Sequence, residues 1–245
     1  MQNRPTTWNG VEVPYGASIN QLASLVRGST PERWAAFVAL AHTPGESALT
    51  TLTDSARSSD PYARRAAVEA IGVHPEGHRL GALVCNLLSD THDFVVRSAC
   101  EAAARHRVTE AHDAVVRLLD ATPEASRVAA LHALRELWRD GDFERVLRAF
   151  SSATSDAVRK EAAWTLRSTA SAFTWRQLFA LWSEDALPRH RGWACELAAT
   201  YGGPEVLTGL KRLTHDVDGH VRNVAARAVR EIEARGLTGF AADGG

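Results

Sequence analysis

Several absences narrow the field before any motif is sought. The 245-residue chain has only three cysteines, Cys85, Cys100 and Cys195. The number is odd and no Cys-x-x-Cys pair exists, so neither a disulfide framework nor a thiolate zinc site is indicated. Each lies in an apolar helical pattern, the setting of a reduced core cysteine. No stretch approaches the ~18 apolar residues of a membrane span. The N-terminus, MQNRPTTWNGVEVPYG, lacks the apolar run of a secretory signal. A cytoplasmic protein is expected. Charge of one sign is missing as well: 28 Lys and Arg face 29 Asp and Glu, leaving no global field toward nucleic acid or membrane. Lys160 and Lys211 are the only lysines, so arginine carries nearly all the positive charge. There is no Gly-rich phosphate loop, no Gly-x-Ser-x-Gly and no supported Ser/His/Asp set. No cofactor is expected.

What the chain does contain is a phrase that returns. Arg64 is followed at +3, +6 and +7 by Ala67, Ala70 and Ile71, one face of a helix. The same offsets hold after Arg97 (Cys100, Ala103, Ala104), Arg127 (Ala130, Ala133, Leu134) and Arg159 (Ala162, Thr165, Leu166). They hold again after Arg191 (Ala194, Leu197, Ala198) and Arg222 (Ala225, Ala228, Val229). The intervals are 33, 30, 32, 32 and 31 residues. Upstream, Trp34 takes the Arg position, with Phe37, Leu40 and Ala41 behind it. Self-similarity at this period marks a stacked array, here of seven units with a degenerate first.

Each unit carries a second apolar helical segment before the anchored one, such as LGALVCNLL or FERVLRAF. A unit is therefore a helix A, a turn and a helix B. Neither helix can bury its stripe alone, and stacking supplies the missing surface. In STPERW, SDPYAR and ATPEAS the spacing predicts Ser, Thr or Asp at N-cap with Pro at N1. Asp60, Asp93 and Asp218 each stand four residues before the Arg. They are expected to accept backbone N–H groups and to face an Arg of a neighbouring unit. Unit six departs most, with Leu187 in place of Asp, then Pro188 and Gly192.

The pattern Asp-x-x-Val-Arg-x-x-Ala-x-x-Ala-Leu resembles HEAT repeats, in particular the short bacterial kind of phycobilisome-lyase-like proteins. The six arginines match its Arg, and Val96, Val158 and Val221 its Val. The resemblance implies an all-α, right-handed α-solenoid of about seven HEAT-like hairpins over residues 17–235. Residues 1–16 read as an extended arm and 236–245 as a disordered tail. In such arrays the B helices line the concave face. Offsets +1, +5 and +8 point away from the core stripe, so they should map that face. They predict a basic row of Arg105, Arg135 and Arg167, with His132, Lys160 and Trp164 beside it. Arginines with an exposed Trp suit an acidic protein partner or phosphate groups. The bland alternative is a solvated face with cations at helix C-termini.

Enzyme readings fare less well. His74, His78, His106 and His112, near Glu110 and Asp113, are the one candidate metal cluster. HEAT-like iron hydroxylases carry His-Glu pairs, and no His-Glu dipeptide occurs here, so these read as surface histidines near loops, with no metal. A HEAT-like DNA-alkylation glycosylase would need a Trp-Trp-x-x-x-Asp-like motif, of which LWRDGD is a poor echo. A lyase role would rest on fold analogy alone. Trp138, Trp175, Trp182 and Trp193 sit on helical stripes and read as core. The expectation is a non-catalytic scaffold that binds a partner protein with an acidic surface, and nucleic-acid binding is the alternative.

Overall fold

A computed structural model describes residues 5–28, 30–121 and 123–242, with side chains as far as residue 235. The described residues form seven helical hairpins. They are α1 (Ile19–Arg27) with α2 (Glu32–Leu40), α3 (Glu46–Ala56) with α4 (Pro61–Val73), and α5 (Gly81–Leu87) with α6 (Asp93–Arg105). Then come α7 (His112–Arg117) with α8 (Glu124–Leu137), α9 (Phe143–Ser151) with α10 (Asp156–Ser168), α11 (Trp175–Trp182) with α12 (Pro188–Tyr201), and α13 (Leu207–Leu213) with α14 (Gly219–Ala242). The chain divides into two compact units, residues 1–165 and 166–245, with the boundary inside α10. In the first, α4 packs on α6 and α6 on α8; in the second, α12 packs on α14. The expected all-α fold of stacked hairpins is what the chain adopts. Of the repeated apolar positions, all are buried except half-buried Val229.

Two of the repeated arginines, Arg64 and Arg191, act as clamps. Arg64 donates from Nη1 to the carbonyls of Ser58 (2.9 Å) and Ser59 (3.1 Å) in the turn before its own helix. It also donates from Nε and Nη2 to both oxygens of Asp90, at 2.7 and 2.9 Å. Asp90 lies at the end of the next unit's helix A. Arg191 repeats the arrangement in the second unit, with the carbonyls of Asp185 (2.8 Å) and Ala186 (3.0 Å) and both oxygens of Asp216, at 2.7 and 2.8 Å. A planar guanidinium can serve the turn and the carboxylate together, which an ammonium could not. The Arg191 guanidinium holds the Asp216 carboxyl below its ordinary value. At Asp90 burial pushes upward, but the Arg64 hydrogen bonds prevail and the net shift is downward.

A second ladder satisfies helix ends. The last carbonyls of an α-helix have no partner within it. His74 Nε2 lies 2.7 Å from the Thr43 carbonyl and His106 Nε2 lies 2.8 Å from that of Ile71. Glu76 N–H donates to His74 Nδ1, which places the His74 ring proton on Nε2, facing the carbonyl. Thr165 Oγ1 also donates one period back, at 2.9 Å to the Leu131 carbonyl, although that carbonyl lies inside α8 rather than at its end. In the second unit Tyr201 donates to the Ala170 carbonyl and Arg235 to those of Ala199 and Gly202. Gly77 is fixed by this ladder: a Cβ there would sit 2.1 Å from the Ile71 oxygen and 2.4 Å from His106 Nε2.

Several expectations are corrected. The arm is not simply extended: β1 (Thr7–Trp8) pairs antiparallel with β2 (Val11–Glu12) and the hairpin packs on α2. Its turn is Asn9-Gly10, both with positive φ (48° and 82°), as a two-residue hairpin requires. Residues 1–4 lie outside the described residues. The tail expected over 236–245 is helical as far as Ala242, because its Ala and Leu residues continue α14 at the modest cost of two glycines; residues 243–245 lie outside the described residues. Of the three Pro-containing helix starts, only Asp60 caps as expected, accepting from Tyr62 N–H at 2.9 Å with Pro61 at N1. Pro31 and Pro123 themselves occupy the N-cap of α2 and α8. Asp60 also pairs with Arg33 at 2.7 Å, and Asp218 caps α14. Asp93 instead pairs with Arg97 of its own helix and accepts from Ser126 Oγ. In unit six, Asp185 accepts from Leu187 N–H, a role the sequence pattern had assigned to position 187 itself.

Two outcomes test the clamp. Arg64→Ala strands a mostly buried Asp90 and should cost about 3 kcal/mol, whereas Arg65→Ala breaks the exposed Arg65–Glu69 pair at a cost of under about 0.5 kcal/mol; urea unfolding of both variants reads the difference. Asp216 has a lowered folded pKa, so its contribution is complete above its ordinary 3.8 and disappears as pH falls through the lower folded value. The stability difference between wild type and Asp216→Asn should therefore be constant from pH 7 to 5 and shrink below 3.8.

Candidate functional site

A large concavity lies wholly in the first compact unit. It is an open groove of ≈1020 Å³ between α6, α8 and α10. The B helices of a stack splay their outer faces apart where small side chains leave room. Ala104, Ala125, Ala129 and Ala157 form much of the floor, with Val128 among them. Arg97, Arg105 and Arg107 stand on the rim against Glu101, Glu124, Glu136 and Glu161. Arg97 is taken by Asp93 and Arg107 by Glu136 (3.0 Å). Among the described residues this leaves Arg105, Glu101 and Glu124 without ion pairs.

The expected site residues are dispersed. Arg105 and His132 are exposed and line the same groove. Arg135 is not a free cation: its Nη1 donates to Glu161 at 2.5 Å, with both side chains mostly buried. Lys160 is exposed on α10, does not line the groove, and has no ion pair among the described residues. Trp164 is 48% exposed. It does not line the groove itself, but it stands on α10 one turn beyond Glu161, which does. Arg167 belongs to the second unit, where it is paired with Glu196 and lies 5.4 Å from the Trp193 ring. Of the expected row of bare arginines, Arg135 and Arg167 are instead held in Arg–Glu pairs between successive hairpins, each glutamate standing 26 to 29 residues beyond its arginine, and Arg105 alone has no ion pair among the described residues.

The outward offsets also needed correction. Gly72, Ser98, Ala102 and Gly192 are buried. A Cβ on Gly72 would lie 3.4 Å from Ala102, so these positions are where one helix B packs on the next. The four histidines expected at the surface divide: His74 and His112 are buried, His106 is half-buried and His78 is exposed. His112 lies 2.8 Å from Asp142 and 2.8 Å from Asp113 through its two ring nitrogens. No group of three or more possible metal ligands is brought together among the described residues. The three cysteines are free, and burial pushes the thiols of Cys100 and Cys195 up to about 12, which removes them as nucleophiles at neutral pH. Trp175 and Trp182 are core as expected; Trp138 and Trp193 are half-buried.

One feature escaped the sequence reading. A second groove of ≈450 Å³ lies beside the N-terminal hairpin, lined by Trp8, Trp34, Phe37, Val38 and Val73. Arg105 borders both grooves. The signal was the Asn9-Gly10 turn, which folds Trp8 back toward α2.

Among the described residues no helix is long and apolar enough to cross a membrane. A family model described as HEAT repeats matches residues 19–105 and 144–230. No curated protein is matched by sequence. Among solved structures, an engineered protein is similar with a TM-score of 0.60 at 18% identity, covering 88% of this chain and 68% of its own. The complex of CpcE and CpcF of phycocyanin lyase from Nostoc sp. is similar with a TM-score of 0.54 at 15% identity, covering 95% of this chain and 99% of its own. Identities this low speak for the fold alone.

The Arg135–Glu161 pair gives a direct check on the site's electrostatics. A double-mutant cycle of Arg135→Ala and Glu161→Ala, read by chemical unfolding, should show a coupling of about 1 kcal/mol. An arginine standing free in solvent would give none.

Proposed function

The chain belongs to the HEAT-repeat family, and on that premise we propose that it is a non-catalytic scaffold which holds a segment of a partner protein in the groove of its first unit. The observation that carries this is Trp164, a large ring 48% exposed on α10, one turn beyond the groove residue Glu161. Leaving so large an apolar surface in water is unfavourable, and Trp is the residue most enriched at binding hot spots. An apolar side chain of the partner would bury against Trp164, Val128 and the alanine floor. Glu101 and Glu124 would accept from a basic residue, and Arg105 would donate to an acidic one. Arg135 acts here by fixing Glu161 rather than by touching the partner. The partner surface is therefore of mixed charge rather than acidic throughout, because the free groups of the groove are of both signs. His132, which lines the groove, would add a polar contact, and Lys160, outside it, a secondary one.

The test is capture from native lysate by wild type and by a Trp164→Ala/Glu101→Lys variant, with nuclease treatment in parallel. A protein retained by wild type, insensitive to nuclease and lost from the variant, is the expected result. Its affinity for Trp164→Ala alone should fall about 30-fold, the equivalent of ~2 kcal/mol. Identical captured proteins for wild type and variant would remove the groove from the function. Loss of bound material on nuclease treatment, with affinity falling steeply as salt rises, would move the assignment to nucleic acid.

A further inference from the structure

Away from the groove, the first unit holds a second polar cavity, and the repeat itself explains why it exists. Arg127 is the third of the six repeat arginines, in the fourth hairpin. At Arg64 the carboxylate partner is Asp90, 26 residues on; at Arg191 it is Asp216, 25 residues on. The corresponding positions after Arg127 are Ser152 and Ala153. No carboxylate is there. In Arg64 and Arg191 it is Nε that donates to the aspartate, at 2.7 Å in both. In Arg127 that same Nε is buried with no hydrogen-bond partner. A buried donor left unmade costs about 1–3 kcal/mol, so the site is built with an unmet demand for an acceptor.

The surroundings sharpen the demand. Ser152 and Ala153 line a cavity of ≈470 Å³, into which Arg117, Arg145 and Arg148 also converge. Among the described residues Asp120 is the one carboxylate on its wall. Arg145 approaches Asp142 no closer than 3.9 Å, and among the described residues Arg117 and Arg148 have no ion pair. Four guanidiniums around one acid repel one another, and that repulsion falls when an anion enters.

We propose that this cavity is an oxyanion site for a phosphoryl group, held where other units place an aspartate. A phosphoryl group matches better than a carboxylate. It carries up to two negative charges and three or more acceptor oxygens, enough to engage several guanidinium forks at once. The Nε of Arg127 supplies the inner donor, and exposed Arg117, Arg145 and Arg148 supply the rim. The phosphoryl group can arrive as free phosphate or on a phosphorylated side chain; the chemistry of recognition is the same.

The experiment uses the full chain and two probes, inorganic phosphate and O-phosphoserine, titrated by calorimetry in chloride buffer of constant ionic strength. Wild type should show saturable binding of at least one. Ala153→Asp restores the carboxylate that Arg64 and Arg191 enjoy. It should abolish binding and, without phosphate present, raise the Tm above that of wild type. Arg148→Ala, at an exposed rim position, should fold normally and weaken binding about tenfold. Tighter binding of O-phosphoserine would assign the group to a phosphorylated chain, and tighter binding of phosphate to the free ion; both support the site. Absence of saturable binding to wild type, or equal binding by Arg148→Ala, overturns it.

Discussion

A guanidinium that holds two turn carbonyls with one nitrogen and a carboxylate of the next hairpin with the others is the joint of this protein. Hydrophobic stripes on helices A and B explain why the hairpins stack, but burial is non-directional and does not fix how they stack. The clamp supplies direction. Arg64 and Arg191 each tie the turn of one unit to the end of the next unit's helix A, with nearly the same distances in both places. Arginine, not lysine, has the planar fork this requires, which gives the scarcity of lysine in the chain a local rationale at these positions.

Around this joint the polar chemistry is nearly all spent between units. Arg135 meets Glu161, Arg107 meets Glu136, and Ser98 donates to Glu69 at 3.1 Å. A surface that looks charged in the sequence is therefore largely self-neutralised. What remains for a partner is the exception: a half-exposed Trp164, a short set of unpaired groups on the groove rim, and the aromatic groove beside the hairpin.

The array was legible because the core offsets after each arginine recur, and a burial pattern of that kind is local to one helix. Much of what was not legible depends on a residue about one period away. Offsets +5 and +8 look outward on an isolated helix, yet Gly72 and Ala102 press against each other because helix B has neighbours on both sides. The pairing of Arg135 with Glu161 crosses 26 residues and cannot be seen within one unit. The N-terminal hairpin was missed for a different reason. Its Asn9-Gly10 signal was present, but strands of two residues carry too little alternation to register.

The helix-end ladder has a direction. Its donors at helix ends, His74, His106, Tyr201 and Arg235, each lie 31 to 36 residues C-terminal to a carbonyl they satisfy. The clamp runs the other way in donor sense but also waits for a later residue, since Asp90 follows Arg64 and Asp216 follows Arg191. A chain leaving the ribosome emerges N-terminus first. Each hairpin so tied is therefore born with an open helix end or an unanswered arginine and is completed only when its successor appears. At these ties the order of synthesis is also the order of completion, since none can close until the chain about one period further on has emerged.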